Sequence, residues 1–201
     1  MTLPPAYFDA MYAESGDPWG FTSRWYERRK YALTLAALPR ERYRRGFEPG
    51  CSIGVLTALL ATRCDSLLAT DVAPAAVELA TERLAAYDGV AVAELAVPQD
   101  WPEGSFDLIV LSEIGYYLSA DDLELMLDRA VSSLEPGGTL AAVHWRHPVA
   151  DYPLRGDDVH DLLATSPELH RLVRHEESDL ILEVFEAEPA MSVAERTGLW
   201  P

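Results

Sequence analysis

The sequence predicts an α/β domain with a mostly parallel sheet, helices on both faces and a closing antiparallel hairpin. Three observations carry this. From about residue 45 onward, apolar runs of strand length alternate with segments of helical periodicity, the pattern of β-α-β units with right-handed crossovers. The run Phe106–Leu111 is continuously apolar, as in a strand buried on both faces. The last two extended segments are separated only by Glu177-Ser178-Asp179, a connection short enough to allow antiparallel pairing alone.

The elements follow in order. Residues 1–42 read as helices and polar loops that form a lid or substrate segment. Asp17-Pro18-Trp19-Gly20 is a turn, and a helix runs from Ser23, as N-cap, to Leu38, with Pro39 just beyond it. Residues 43–188 form the ligand-binding domain. Its seven strands are placed at Arg45–Glu48, Ser66–Thr70, Val90–Ala96, Phe106–Leu111, Thr139–Trp145, Leu169–His175 and Leu180–Ala187. Helices are expected after Gly54, from Pro74 through Tyr87, over Asp121–Leu134 and over Asp157–Ala164, with Gly137-Gly138 ending the third of these. Pro98–Ser105 is too short for a full crossover helix. Residues 189–201 read as an irregular tail.

Composition narrows the function. The chain has 201 residues, one domain's length, and 49% hydrophobic residues, ample for one core. Its 33 acidic and 16 basic residues give a net charge of −17, a surface that repels phosphate backbones, so no nucleic-acid partner is expected. The basic stretches Arg24–Lys30 and Arg40–Arg45 read as solvated helix faces and a helix C-terminus. The acidic balance suits a cationic small substrate. No apolar run reaches the roughly 18 to 20 residues that span a bilayer, so no membrane partner is expected. The N-terminal stretch lacks a secretory pattern, and Cys51 and Cys64 are too few for a disulfide scaffold; a reducing, cytoplasmic compartment is expected.

The chemistry concentrates at Glu48-Pro49-Gly50-Cys51-Ser52-Ile53-Gly54, between the first strand and its helix. Gly50 allows a tight turn, small side chains let a ligand approach the main chain, and Gly54 is expected to let the helix lie close to the strand. Asp71 ends the second strand 21 residues after Gly50, where an acid accepts hydrogen bonds from ribose hydroxyls. Four readings of the turn compete. A dinucleotide site wants G-x-G-x-x-G, and Ser52 replaces its middle glycine while the third is absent. A serine-hydrolase elbow matches G-x-S-x-G at Gly50–Gly54, but only one strand precedes Ser52. S-adenosylmethionine (SAM) has no phosphate and carries a sulfonium, which suits Glu48 at the strand end. A turn that merely packs is the fourth.

Taken together, EPGCSIG, LLATDVAP, FDLIVLSEIGYYL, LEPGGTLAAVHWR and the closing hairpin resemble the class I SAM-dependent methyltransferases over roughly residues 40–187. The resemblance implies a Rossmann-like fold and SAM as cofactor, with Asp71 on the ribose. Asp17-Pro18-Trp19, Trp25–Tyr31, Ser112-Glu113 and Tyr116-Tyr117-Leu118 narrow it to the nodulation-protein-S (NodS-type) N-methyltransferases, which methylate the free amine of a deacetylated chitooligosaccharide. The acidic residue that many family members place after the third strand, to meet the adenine amine, is missing from Leu95-Ala96-Val97; backbone groups of Ala96 and Val97 are expected to serve there. No metal is expected, because no His/Cys cluster has ligand spacing.

These readings define the candidate residues. Cofactor contacts are expected from Trp19, Arg29, Glu48, Gly50, Cys51, Ser52, Gly54, Asp71, Val72, Ala96, Val97, Ser112 and Glu113, with Trp19 covering the cofactor and Arg29 holding its carboxylate. An amine must be neutral to attack the methyl, so a base or a deprotonating environment is needed. His144, Glu113 and Tyr116, in or after the fourth and fifth strands, are the catalytic candidates. Tyr116, Tyr117, Arg146 and His147 are the candidates for holding a small-molecule acceptor. Glu176, Glu177 and Asp179 read as a solvated hairpin turn. Small-molecule O-methylation, a nucleotide-binding reductase and a SAM-binding domain without turnover are the alternatives.

Overall fold

The computed structural model describes residues 1–200. Two helices, α1 (Pro5–Glu14) and α2 (Trp25–Ala37), precede β1 (Tyr43–Pro49), α3 (Val55–Ala61), β2 (Cys64–Asp71), α4 (Pro74–Leu84) and β3 (Val90–Glu94). Then come β4 (Phe106–Ser112), a 3-10 turn (Gly115–Tyr117), α5 (Ala120–Ser133) and β5 (Leu134–Trp145). The chain closes with α6 (Gly156–Leu163), β6 (Leu169–Glu176), β7 (Leu180–Ala187) and a short α7 (Val193–Arg196). The seven strands form one sheet in the order β3-β2-β1-β4-β5-β7-β6. β1 to β5 run parallel, and β7 pairs antiparallel with both β5 and β6. This is the expected Rossmann-like sheet with its C-terminal hairpin.

The apolar run in β4 explains the two-sided core. Period-2 alternation sends Leu108 and Val110 to one face and Ile109 and Leu111 to the other. The first pair joins Tyr43, Leu60, Val143 and Leu182. The second joins Phe47, Phe106, Met126, Leu140 and Phe185. Phe47 is fully buried, stacked on Phe106 with ring centroids 5.1 Å apart and edge-on to Trp101. Beside it, the Asp107 carboxylate accepts the backbone N–H groups of Arg44 and Arg45, at 2.9 and 2.8 Å, fixing β1 against β4. The strand order reverses between β1 and β4, and that switch point is where a crevice opens outside the strand ends.

Three local expectations are corrected. α2 starts at Trp25 with Arg24 at the N-cap, not at Ser23. The reason is Asp17: its carboxylate accepts from the N–H groups of Phe21 and Thr22 and from the Thr22 hydroxyl, holding the chain in turns through Ser23. Gly137-Gly138 does not end α5; the helix stops at Ser133, and the glycines lie within β5, whose pairing with β4 shifts register between Phe106 and Leu108. The tail is not wholly irregular, since Ser192 caps α7 and Glu195 returns a bond to the Ser192 N–H.

Because Phe47 has no exposed surface, Phe47→Ala should lower unfolding free energy by about 3 to 5 kcal/mol in urea titration. A loss below about 1 kcal/mol would show that the Phe47–Phe106–Trp101 stack does not carry this face of the core.

Candidate functional site

A cleft lies at the C-terminal ends of β1, β2 and β4. Its floor is Gly50-Cys51-Ser52, Asp71-Val72, Leu95-Ala96-Val97 and Ser112-Glu113-Ile114; its roof is α1 with the Trp19–Phe21 turn. Three residues of the glycine turn, Gly50, Ser52 and Gly54, have φ of +72°, +50° and +75°. At Gly50 this left-handed backbone is joined to close packing: a Cβ would stand 2.9 Å from Ile114 Cδ1. Gly54 does a different job from the expected one. Its missing Cβ faces Leu84 and Ala80 of α4, so it brings α3 against α4 rather than against β1, and it does not line the cleft.

Two carboxyls frame the turn. Asp71 Oδ2 accepts the Ser52 N–H at 2.8 Å and Oδ1 accepts the Ala73 N–H at 3.0 Å. Burial raises the Asp71 pKa even though these backbone donors act against the rise. Glu48 is buried at the end of β1, and its Oε2 has no hydrogen-bond partner. Burial, with the nearby Asp71 charge, pushes its pKa up to about 8, although Thr57 offsets part of this. Burial likewise raises the Cys51 thiol well above its ordinary value, so Cys51 is an inert wall.

The opposite wall is built around Glu113, held at φ +57°. Its Oε1 lies 2.6 Å from Lys30 Nζ; its Oε2 accepts the Tyr116 hydroxyl at 2.5 Å and the Trp145 N–H at 2.8 Å. Lys30 is 1% exposed and also meets Glu27 at 2.8 Å. Burial alone would neutralise such a lysine, but the Glu113 and Glu27 charges more than compensate and raise its pKa.

The roof is fastened at both ends. The Leu3 N–H donates to Tyr117 O at 2.9 Å, and Thr2 Oγ1 bonds Asp122 and Ser119 at the start of α5. Tyr12 and Ser52 share a 2.5 Å hydrogen bond across the cleft. Trp19 stacks on Phe21 and meets Tyr12 edge-on.

Of the residues singled out from sequence, Trp19, Glu48, Gly50, Cys51, Ser52, Asp71, Val72, Ala96, Val97, Ser112, Glu113 and Tyr117 line the cleft. Others point elsewhere. Arg29 forms a two-pronged ion pair with Glu177, at 2.7 and 2.5 Å, fastening α2 to the hairpin. Glu177 is therefore no idle turn residue: Arg29 and His175 hold its carboxyl down at about 2. Arg146 pairs with Asp157 and Glu176, and His147 with Asp179. His144 is fully buried, and neither it nor Tyr116 lines the cleft. The backbone N–H and C=O of Ala96 both engage Asp100 within a turn. Sequence reasoning misses Thr2, Leu3, Phe8, Tyr12, Lys30 and Gln99, although the aromatic spacing Phe8–Tyr12 at i, i+4 is a helix-face signal. Among the described residues, no group of three or more His, Cys, Asp or Glu is placed to hold a metal, and no helix is long and apolar enough to cross a membrane.

The profile of the family described as Nodulation protein S (NodS) matches residues 11–151. Nodulation protein S of Rhizobium tropici is 31% identical over 126 residues, 62% of this chain and 53% of that protein. That of Bradyrhizobium diazoefficiens is 30% identical over 126 residues, 62% of this chain and 60% of its own. The aligned segment thus spans between half and two thirds of these relatives. The structure of N-methyltransferase NodS from Bradyrhizobium japonicum WM9 in complex with S-adenosyl-L-homocysteine superposes with a TM-score of 0.82 at 26% identity, over 91% of this chain and 97% of that one. A Pseudomonas syringae protein, provisionally assigned as a methyltransferase, is 51% identical with a TM-score of 0.73, over 81% of this chain and 99% of that one. With the family profile covering most of the chain and the fold shared throughout, the protein belongs to the nodulation protein S family.

Proposed function

We propose that the protein transfers a methyl group from SAM to an amine on a small-molecule acceptor, of the amino-sugar type that its family membership suggests. The observation that carries this reading is the acidic lining of the cleft. Its walls present three carboxyls, Glu48, Asp71 and Glu113, and no Lys, Arg or His side chain. Such a wall favours a cationic ligand and opposes a pyrophosphate, which counts against the reductase alternative. The hydrolase alternative loses its support as well, since Ser52 is bonded to Tyr12 and no histidine lines the cleft.

The residues around the glycine turn suit two groups of SAM. Asp71 has spent one acceptor site on each oxygen and keeps further lone pairs for ribose hydroxyls. Glu48, with a buried and unpartnered oxygen, suits the cationic end of the ligand. When bound, SAM supplies an electrophilic methyl on its sulfonium. The protein's part is alignment and proton handling. Glu113 is the residue for the second task. Its carboxylate holds three donors, Lys30, Tyr116 and the Trp145 N–H, out of about four it can accept. The remaining site would accept an N–H of the acceptor amine and so orient its lone pair. Tyr116 and Lys30 fix the carboxylate, while Tyr117 and Phe21 wall the acceptor side; Trp19, packed beside Ile53 and Ala73, covers the cofactor side. Residues 1–42 act as the lid, because α1 is the roof.

Calorimetric titration should show binding of SAM and none of NADH. Asp71→Ala should weaken SAM by about tenfold or more, the loss of a charge-assisted ribose contact. Unchanged affinity would remove Asp71 from the cofactor site.

Glu48 gives a pH signature. In the unfolded chain it ionises near its ordinary value of 4.5, but in the fold only near 8. Its contribution to stability is therefore full below pH 4.5 and is lost as the pH rises through 8. Ligand-free Glu48→Gln should unfold at a higher temperature than wild type at pH 8 and above. A cation settling on Glu48 requires the charged form, so SAM affinity should rise between pH 6 and 8 with release of up to one proton. Glu48→Gln should abolish that pH dependence; a variant that still titrates would assign the proton to another group.

A further inference from the structure

Behind the cleft lies a line of buried polar groups that methyl transfer, as read above, leaves unused. Glu183 of β7, His160 of α6 and His144 of β5 are each at most 1% exposed. His160 Nδ1 is 2.8 Å from Glu183 Oε2, and His144 Nδ1 is 3.1 Å from His160 Nε2. At the inner end, the Gly115 N–H donates to His144 Nε2 at 3.2 Å. At the outer end, Arg171 and Arg174 each donate to Glu183 Oε1 at 2.9 Å.

The two ends dictate every proton between them. A backbone N–H only donates, so His144 Nε2 accepts, and the neutral ring carries its proton on Nδ1. That proton faces His160 Nε2, which must accept, so His160 carries its own proton on Nδ1 and gives it to Glu183. Burial pushes the His144 pKa well below the usual imidazole range, so the ring is neutral. Burial alone would raise the Glu183 carboxyl, but bonds from His160 and Arg174 bring it below its ordinary value. The packing is built for this line. A Cβ on Gly156 would stand 2.3 Å from Trp145 O and 3.0 Å from His144 Cβ; one on Gly115 would stand 2.6 Å from Val159 Cγ1. Helix α6 and the Gly115 turn reach β5 only because both positions are glycine.

We propose that Glu183, His160 and His144 form a positioning relay that fixes the His144 tautomer, anchors the Gly115–Tyr117 turn and thereby sets the Tyr116 hydroxyl on Glu113. The relay acts on the acceptor side of the cleft, and in that respect it rests on the function proposed above; its proton order does not. A shape-filling role and a proton-ordering role separate in one isosteric change. In Glu183→Gln the two arginines keep the carbonyl oxygen and turn the amide NH2 towards His160 Nδ1. That donor moves the protons of both rings to their ε nitrogens and sets the His144 Nε2–H against the Gly115 N–H. Glu183→Asp is a poorer match in shape but keeps an acceptor.

The test is long-range proton–nitrogen NMR of the histidine rings near neutral pH, with hydrogen exchange at the Gly115 amide, on ligand-free wild type and both variants. Wild type and Glu183→Asp should show Nδ1–H on both rings. Glu183→Gln should show Nε2–H on both and exchange Gly115 at least about tenfold faster than Glu183→Asp. A wild-type His144 that is charged or protonated at Nε2 overturns the proposal, whatever the variants do. So does Glu183→Gln exchanging Gly115 no faster than Glu183→Asp. None of these readouts needs SAM, so the relay stands or falls independently of the cofactor.

Discussion

A lysine ammonium taken out of water must be surrounded by compensating charge, and here that requirement organises the molecule. Lys30 sits inside the protein because Glu27 reaches it from its own helix and Glu113 from the end of β4. Glu113 reaches it from a left-handed backbone, a conformation costly for a residue with a Cβ. The remaining oxygen of that carboxylate collects Tyr116 from the 3-10 turn and the Trp145 N–H from β5. Four segments, α2, β4, the turn and β5, thus meet on one side chain. Each bond is charge-assisted and desolvated, so removing one partner strands the others. The strained backbone, the buried lysine and the position of this wall of the cleft are one feature seen from three sides.

The same electrostatics separates the two halves of the cleft. Around the glycine turn, carboxyls are left short of partners: Glu48 has an unpaired oxygen, and Asp71 is served by backbone donors alone. Around Glu113, the carboxylate is nearly saturated by the protein. The first half is ready for a ligand that brings its own donors and positive charge. The second offers one oriented acceptor site inside a wall of aromatic rings.

The parts legible in the sequence are those whose function is a local backbone fact. The turn Gly50–Gly54, Asp71 at a strand end and the hairpin announced by Glu177-Ser178-Asp179 depend on spacing within a short segment. The fold follows from them, because β-α-β units leave few topologies open. Residues whose role depends on a distant partner are not legible in this way. Arg29 reads as free to hold a carboxylate, yet Glu177, distant in sequence, holds it. His144 reads as a base at a strand end, but alternation along β5 turns it away from the cleft and onto His160 of α6. Lys30 gives no signal, because a lysine within a charged helix reads as solvated. The roof is visible as a helical segment, but its closing contacts, from Thr2, Leu3 and Tyr12, come from ordinary residue types that carry no motif.

That roof has a mechanical consequence. Helix α1 is tied to the Gly115–Tyr117 turn by Leu3 and to the glycine turn by Tyr12. It is a beam resting on two piers that belong to different halves of the site. Such a beam cannot lift from one pier without loading the other. Anything that enters beneath it therefore meets a roof held from both sides of the cleft.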